Sequence, residues 1–370
     1  MEYDEPLFFR VMQYAARAER DVVGMVSGNP DWEPPTALRE GLRTYADADG
    51  DEFQYPASEG VRALREEIAA RRGVDVERVV VTNGAGEANY LGMARAFERA
   101  ETDSPEVILT DPVYPYYLGR TRMLGGTPRL VPVRPDGTPD VAATREVASD
   151  DTVAVVVNTP NNPTGAVYDR GTVAALADVA AEHDALLVAD EVYDHFDYTG
   201  EFESALTLPG ADEHVVVTSS FSKSMAITGY RVGYAVLPPP HVDPIRARHM
   251  LVNVTGSRPA QAAVLHALRE TPPEYYEETR AMLRERIDAF CDALDAAGAD
   301  YERPDGAFYV TARFEGFPGT MTNVERLIDE AGVAAMPGTT FGTAREDSLR
   351  FALVTPRAGE AADRLADFFA

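Results

Sequence analysis

The chain has 370 residues, 45% of them hydrophobic, a length that suits two domains around separate cores better than one. A formal net charge of -27 argues against a nucleic-acid partner, whose phosphates attract a basic face. The single cysteine, Cys291, excludes an intrachain disulfide and a cysteine-rich metal site.

The acidic residues are spread along the chain rather than massed in a tail. With lysine nearly absent, they suggest a surface adapted to high salt, where screening weakens self-repulsion. The acidic start Met1 to Pro6 does not read as a signal peptide, and no apolar run reaches membrane-spanning length, so a cytoplasmic protein is expected.

In chain order, Phe8 to Glu19 carries apolar residues at helical spacing, followed by the short apolar run Val22 to Val26 and a break at Ser27-Gly28-Asn29-Pro30. Helices are expected from Pro34 to Tyr45 and from Gly60 to Arg72, with Phe53-Gln54-Tyr55-Pro56 between them. From Val79 the pattern changes to short β-branched runs: Val79 to Val81, Val107 to Leu109, Val153 to Val157, Ala185 to Val188 and Val215 to Val217. Continuous apolar runs of this length suit strands covered on both faces, hence a mostly parallel sheet, with the helical stretches Ala88 to Arg99 and Thr172 to His183 as crossovers. Beyond residue 240 the pattern is helical, at Val242 to Leu251, Pro259 to Glu270 and Pro273 to Ala297. Candidate strands Ala307 to Ala312 and Leu349 to Val354 then give a separate α+β unit.

Each of the five runs ends in a polar turn. These are Thr82 to Gly86, Asp111 to Tyr114, Asn158 to Gly165, Asp190 to Tyr193 and Ser219 to Lys223. Ligands in open α/β sheets bind outside the carboxyl ends of the strands, so the five turns are expected to share one crevice. The last turn holds Lys223, the only lysine in the chain. Arginine stays protonated, whereas a lysine can lose its proton and form a Schiff base, so a primary amine is needed at this place.

A Schiff-base lysine calls for an aldehyde cofactor, and the neighbouring residues suit a phosphorylated pyridoxal. Arg231, Ser220 and Ser222 can hold phosphate, as can the amides of Gly84, Ala85 and Gly86 at a helix N-terminus. Asp190 ends a buried strand and can pair with a protonated ring nitrogen, which makes the ring an electron sink. Tyr193 and Asn162 can bond the ring phenolate oxygen, and Tyr114 can stack on the ring. Taken singly, an acid after a strand is also a helix cap, a tyrosine is also core, and Asn161 to Gly165 is also a plain turn. Their joint order favours the site.

The motifs Asn162-Pro163-Thr164-Gly165, Asp190-Glu191-Val192-Tyr193, Ser220-Phe221-Ser222-Lys223 with Arg231 eight residues on, and Ser348-Leu349-Arg350-Phe351 resemble the fold-type I pyridoxal-phosphate aminotransferases of class I/II. Ile227 to Tyr234 and Pro304 to Tyr309 are most similar to the prokaryotic aspartate and aromatic branch. The resemblance implies an α/β fold with a mostly parallel seven-stranded sheet sandwiched by helices, plus a smaller α+β domain. The expected division is an N-terminal arm with part of the small domain (1–40), a large cofactor-binding domain (41–245), and a small C-terminal domain with a linking helix (246–370).

The implied activity is ping-pong transfer of an amino group between an L-amino acid and a 2-oxo acid. Lys223 would be the Schiff-base lysine and proton shuttle, with Asp190 and Tyr193 as further catalytic residues. Arg350 would grip the substrate α-carboxylate with help from Asn162, and Gly28 would line the substrate site. Tyr55 would reach the phosphate of a neighbouring subunit, which implies a homodimer with shared sites. The same scaffold runs carbon-sulfur β-lyase chemistry, and a non-catalytic sensor domain is a third reading. Two departures stand out. Gly86 occupies a place where the resemblance expects serine, threonine or lysine, so that end of the phosphate is expected to rest on backbone amides. The segment His249 to Val254 lacks the arginine expected for a substrate's second carboxylate, although Arg248 and Arg258 flank it.

Overall fold

A computed structural model describes residues 6–370. Seven strands form the main sheet, in the order Val79–Thr82, Gly233–Val236, Val215–Ser220, Leu186–Asp190, Thr152–Asn158, Glu106–Asp111 and Thr127–Pro132. All neighbouring pairs are parallel except the two made by Gly233–Val236, which runs antiparallel to both its neighbours. Every residue of Val215–Ser220, Leu186–Asp190 and Thr152–Asn158 is buried, as continuous apolar runs in a two-sided sheet require. Alternate residues serve opposite faces. Ile108, Val155 and Leu187 join one core, while Val107, Leu109, Val156 and Val188 join the other.

Two of the seven strands lie outside the five apolar runs singled out in the sequence. Thr127–Pro132 is one of the two edge strands, mostly exposed on alternate residues, and tolerates prolines that a central strand would not. Gly233–Val236 starts at a glycine because the sheet is pinched there. A Cβ on Gly233 would fall 2.4 Å from the carbonyl carbon of Gly84.

A further core, with no residue from the main sheet, gathers Val11, Val23, Met25, Phe290, Val310, Leu327, Phe351 and Leu365. It is built on the antiparallel strands Met336–Pro337, Leu349–Ala352, Tyr309–Arg313 and Asp300–Tyr301, and on a parallel pair, Val23–Gly24 with Val333–Ala334. The N-terminal segment is thereby tied to the C-terminal third of the chain. Helix Pro273–Ala296 lends this core Ile287, Phe290, Cys291 and Leu294.

Helix Arg258–Glu270 departs from the expected division at residue 245. Its stripe Ala260, Ala263, Val264, Ala267 and Leu268 repeats at helical spacing and packs with Leu38, Leu64 and Ile68 in a core of the large sheet. It approaches helix Thr36–Ala46 so closely that a Cβ on Gly41 would meet His266 Cβ at 2.6 Å. Among the described residues, no helix is long and apolar enough to cross a membrane.

Candidate active site

The residues at the carboxyl ends of the central strands are held by long-range hydrogen bonds. Leu186–Asp190 delivers Asp190, whose carboxylate accepts from Asn89 Nδ2 (2.6 Å), Tyr117 Oη (2.6 Å) and the Val192 amide (3.1 Å). Burial pushes its pKa up, against those three donors. Asn89 is in turn held by Thr218 Oγ1, which donates to its Oδ1 at 2.7 Å. Neither Asn89 nor Tyr117 was singled out in the sequence. The available signals were a polar residue within the apolar side of helix Ala85–Arg99, and a tyrosine one helical turn after Tyr114.

Lys223 lies in the single turn Phe221–Ser224 that follows Val215–Ser220, and its Nζ donates to the Gly28 carbonyl at 2.7 Å. Burial, reinforced by the positive charges of Arg350 and Arg231 and opposed by Asp190, brings its pKa down to about 8. Gly28 is therefore brought against Lys223, although it is 195 residues away in sequence. A Cβ on Gly28 would lie 2.1 Å from Tyr309 Oη, so this close approach requires a glycine.

Tyr309 Oη shares a hydrogen bond of 2.9 Å with Tyr193 Oη, and burial raises the pKa of both phenols. Arg350, on strand Leu349–Ala352, is buried under the rings of Tyr309 (4.6 Å) and Phe341 (5.1 Å). Its Nη1 donates to Asn162 Oδ1 at 3.3 Å and its Nη2 to the Val26 carbonyl, while its Nε is buried without a partner. Asn162 itself is anchored through its amide to Asn158 Oδ1 at 2.9 Å. Tyr114 caps helix Pro115–Met123, with its ring 5.6 Å from that of Tyr117.

Gly84 has φ 77° and opens helix Ala85–Arg99, so the amides of Ala85 and Gly86 are in its first turn. Arg231, itself at φ 56°, donates to the carbonyls of Thr228 (2.9 Å) and Asn83 (3.1 Å). A Cβ on Gly84 would sit 2.5 Å from Arg231 Nη2. Ser220 Oγ accepts from the Ser222 amide at 3.4 Å, and both serines are buried. Tyr55 stands apart from this cluster, 81% exposed. Of the flanking arginines, Arg248 is taken up by Glu98 and Tyr90, and Arg258 by Glu52 and the carbonyls of Asp51 and Gln54.

The Aminotransferase class I and II family matches residues 20–365. This chain belongs to that family. It is 34% identical to the aspartate/prephenate aminotransferase of Thermus thermophilus, over 94% of this chain and 90% of that one. It is 29% identical to aromatic-amino-acid aminotransferase 2 of Thermococcus litoralis, over 99% and 96%. A solved Thermus thermophilus aspartate aminotransferase superposes with a TM-score of 0.90 at 32% identity, covering 99% of this chain and 97% of that one.

The aminotransferase is thus an enzyme that depends on pyridoxal phosphate. Its own residues fit that group. A glycine turn leaves room for Arg231, a buried carboxylate ends the central strand, and a buried lysine has its pKa shifted by the charges of both.

Proposed function

We propose that Lys223, Asp190 and Tyr193 carry the transamination and that Arg350 sets the substrate's orientation. The observation that carries this reading is the lone lysine, bonded to Gly28 and lowered in pKa among Arg350, Arg231 and Asp190. Bound here, pyridoxal phosphate supplies an aldehyde for the amino group and a ring that takes up the electron pair left when the substrate Cα loses its proton. Asp190 would hold a proton on the ring nitrogen, fixed in place by Asn89 and Tyr117. Tyr193 and Asn162 would donate to the ring oxygen, with Tyr114 against the ring face. The amides of Ala85 and Gly86, the hydroxyls of Ser220 and Ser222, and Arg231 would receive the phosphate.

The guanidinium of Arg350 would grip the α-carboxylate, and its unpartnered Nε leaves a donor for that purpose. Lys223 Nζ, neutral above about pH 8, would take the proton from the substrate Cα and give it up again. One 2-oxo acid leaves before a second enters, and the same groups act in reverse. Lys223→Ala is expected to lower turnover by at least about 10⁴-fold, the upper range for a lost acid-base group. Amino-acid titration followed by absorbance, in high salt, checks it. Substantial turnover by the variant would refute the assignment, since no second lysine exists.

We further propose a homodimer. Its support is an exposed apolar run, Met250, Leu251, Val252 and Val254, and the exposed apolar side chains of Leu42, Phe53 and Tyr55. Leu42, Phe53 and Tyr55 line an open depression of about 850 Å³ with Tyr45 and the segment Thr255 to Pro259. Tyr55 would then reach the phosphate of the neighbouring subunit. The large sheet with the cores on its two faces is proposed as one domain and the remaining core as a smaller one, with residues 7 to 26 in the smaller one and the C-terminal boundary after Glu270. The even spread of acidic residues supports a protein adapted to high salt, working in the cytoplasm.

A further inference from the structure

Arg120 is a cation that the sequence reading left unassigned. It lies on helix Pro115–Met123, six residues after Tyr114, and its guanidinium returns to the turn at Gly84–Gly86. A Cβ built on Gly86 would meet one neighbour within 4 Å, Arg120 Nη2 at 3.2 Å. The missing side chain at Gly86 is therefore the space that Arg120 enters. Among the described residues Arg120 makes no ion pair, and its Nη1 is buried without a hydrogen-bond partner. Its one ring contact is with Tyr116, 5.9 Å away.

Asp190 feels the charge of Arg120 but does not satisfy it. The Asp190 oxygens already accept from Asn89, Tyr117 and the Val192 amide. On the other side of the turn, Arg231 Nη2 crowds Gly84 in the same way. Two guanidinium groups thus flank three residues that open a fifteen-residue helix, whose N-terminus adds partial positive charge. Such a concentration of like charge, with a buried N–H unpaired, is relieved by an anion between the two arginines.

We propose that Arg120 is an oxyanion ligand of this active site and that, with Arg231, it clamps an anion at the Gly84–Gly86 turn. The proposal rests on the cofactor site described above. Two ligands carry a suitable oxyanion: the cofactor's phosphate and the second carboxylate of a dicarboxylic substrate. Arg248 and Arg258 are engaged elsewhere, whereas Arg120 has an unpartnered Nη1 to offer such a carboxylate.

The test uses Arg120→Gln and Arg120→Lys. Apo-protein is titrated with pyridoxal phosphate and with pyridoxal, which lacks the phosphate, and the lysine adduct is followed by absorbance. Holoenzyme saturated with cofactor is then titrated with glutamate and with phenylalanine. If the phosphate is the ligand, Arg120→Gln weakens pyridoxal phosphate about ten- to a hundredfold, the worth of one charged hydrogen bond, and leaves pyridoxal unchanged. If the second carboxylate is the ligand, glutamate weakens by a similar factor and phenylalanine does not. In either case Arg120→Lys restores part of the loss.

Equal weakening of all four ligands, or of none, overturns the proposal. Arg231→Gln serves as the control. Should it separate pyridoxal phosphate from pyridoxal while Arg120→Gln separates neither pair, the cofactor site stands and the role of Arg120 falls.

Discussion

Lys223 shows how much a single residue's surroundings decide. An ordinary lysine at pKa 10.5 is charged at neutral pH, but this one is brought to about 8 by burial first, then by Arg350 and Arg231. Because the shift is downward, the neutral, nucleophilic amine gains population as pH rises through about 8 instead of through 10.5. The rate at which apo-protein forms an adduct with pyridoxal is therefore expected to rise with pH and reach half its plateau near 8. A midpoint near 10.5 would mean that the amine is not enclosed as described. Chemistry at this residue was legible in the sequence, since a lone lysine stands out against arginines. The partners that tune it were not, because Gly28 and Arg350 lie 195 and 127 positions away.

At the scale of elements, the site is a set of strand ends and the close approaches that join them. The five apolar runs announced five of the seven strands, and their polar ends announced the crevice. Thr127–Pro132 escaped because an edge strand need not be apolar, and Gly233–Val236 escaped because its short apolar run is framed by a glycine and three prolines that read as turn punctuation. The loop carrying Gly28 meets Tyr309, which packs with Tyr193 and Phe308 and opens a strand whose Val310 and Ala312 enter the smaller unit's core. Gly28→Ala would set a methyl 2.1 Å from Tyr309 Oη and push that ring against Tyr193. The expected cost is about 1–3 kcal/mol of stability, as for other overpacked positions. A lowered kcat/KM should accompany it. Thermal unfolding and steady-state kinetics check this, and an unchanged variant would show that the contact yields freely.

For the whole molecule, charge and exposed apolar surface make separate demands. With a formal charge of -27, self-repulsion weakens as salt shortens the Debye length from about 10 Å at 0.1 M to about 3 Å at 1 M. The thermal midpoint is therefore expected to climb across that range of potassium chloride. A flat or falling profile would count against the high-salt reading. Leu251 is 83% exposed in the middle of the apolar run that precedes Thr255. Leu251→Glu is expected to shift the species seen by light scattering from twice the chain mass to one chain mass, with loss of activity. A variant that stays dimeric and active would remove this face from the interface.

The sequence by itself determined the chemistry and the sheet. Residue types such as a lone lysine cannot be replaced by their neighbours' properties, and apolar runs of strand length have few other uses in a soluble fold. Tertiary structure decided which groups meet. Asn89 and Tyr117 on Asp190, Tyr309 over Gly28, Arg120 at Gly86 and the helix Arg258–Glu270 in the larger core all depend on long-range packing. Periodicity shows that a face is apolar or a position polar, but the partner it finds is fixed only when the separate elements close on one another.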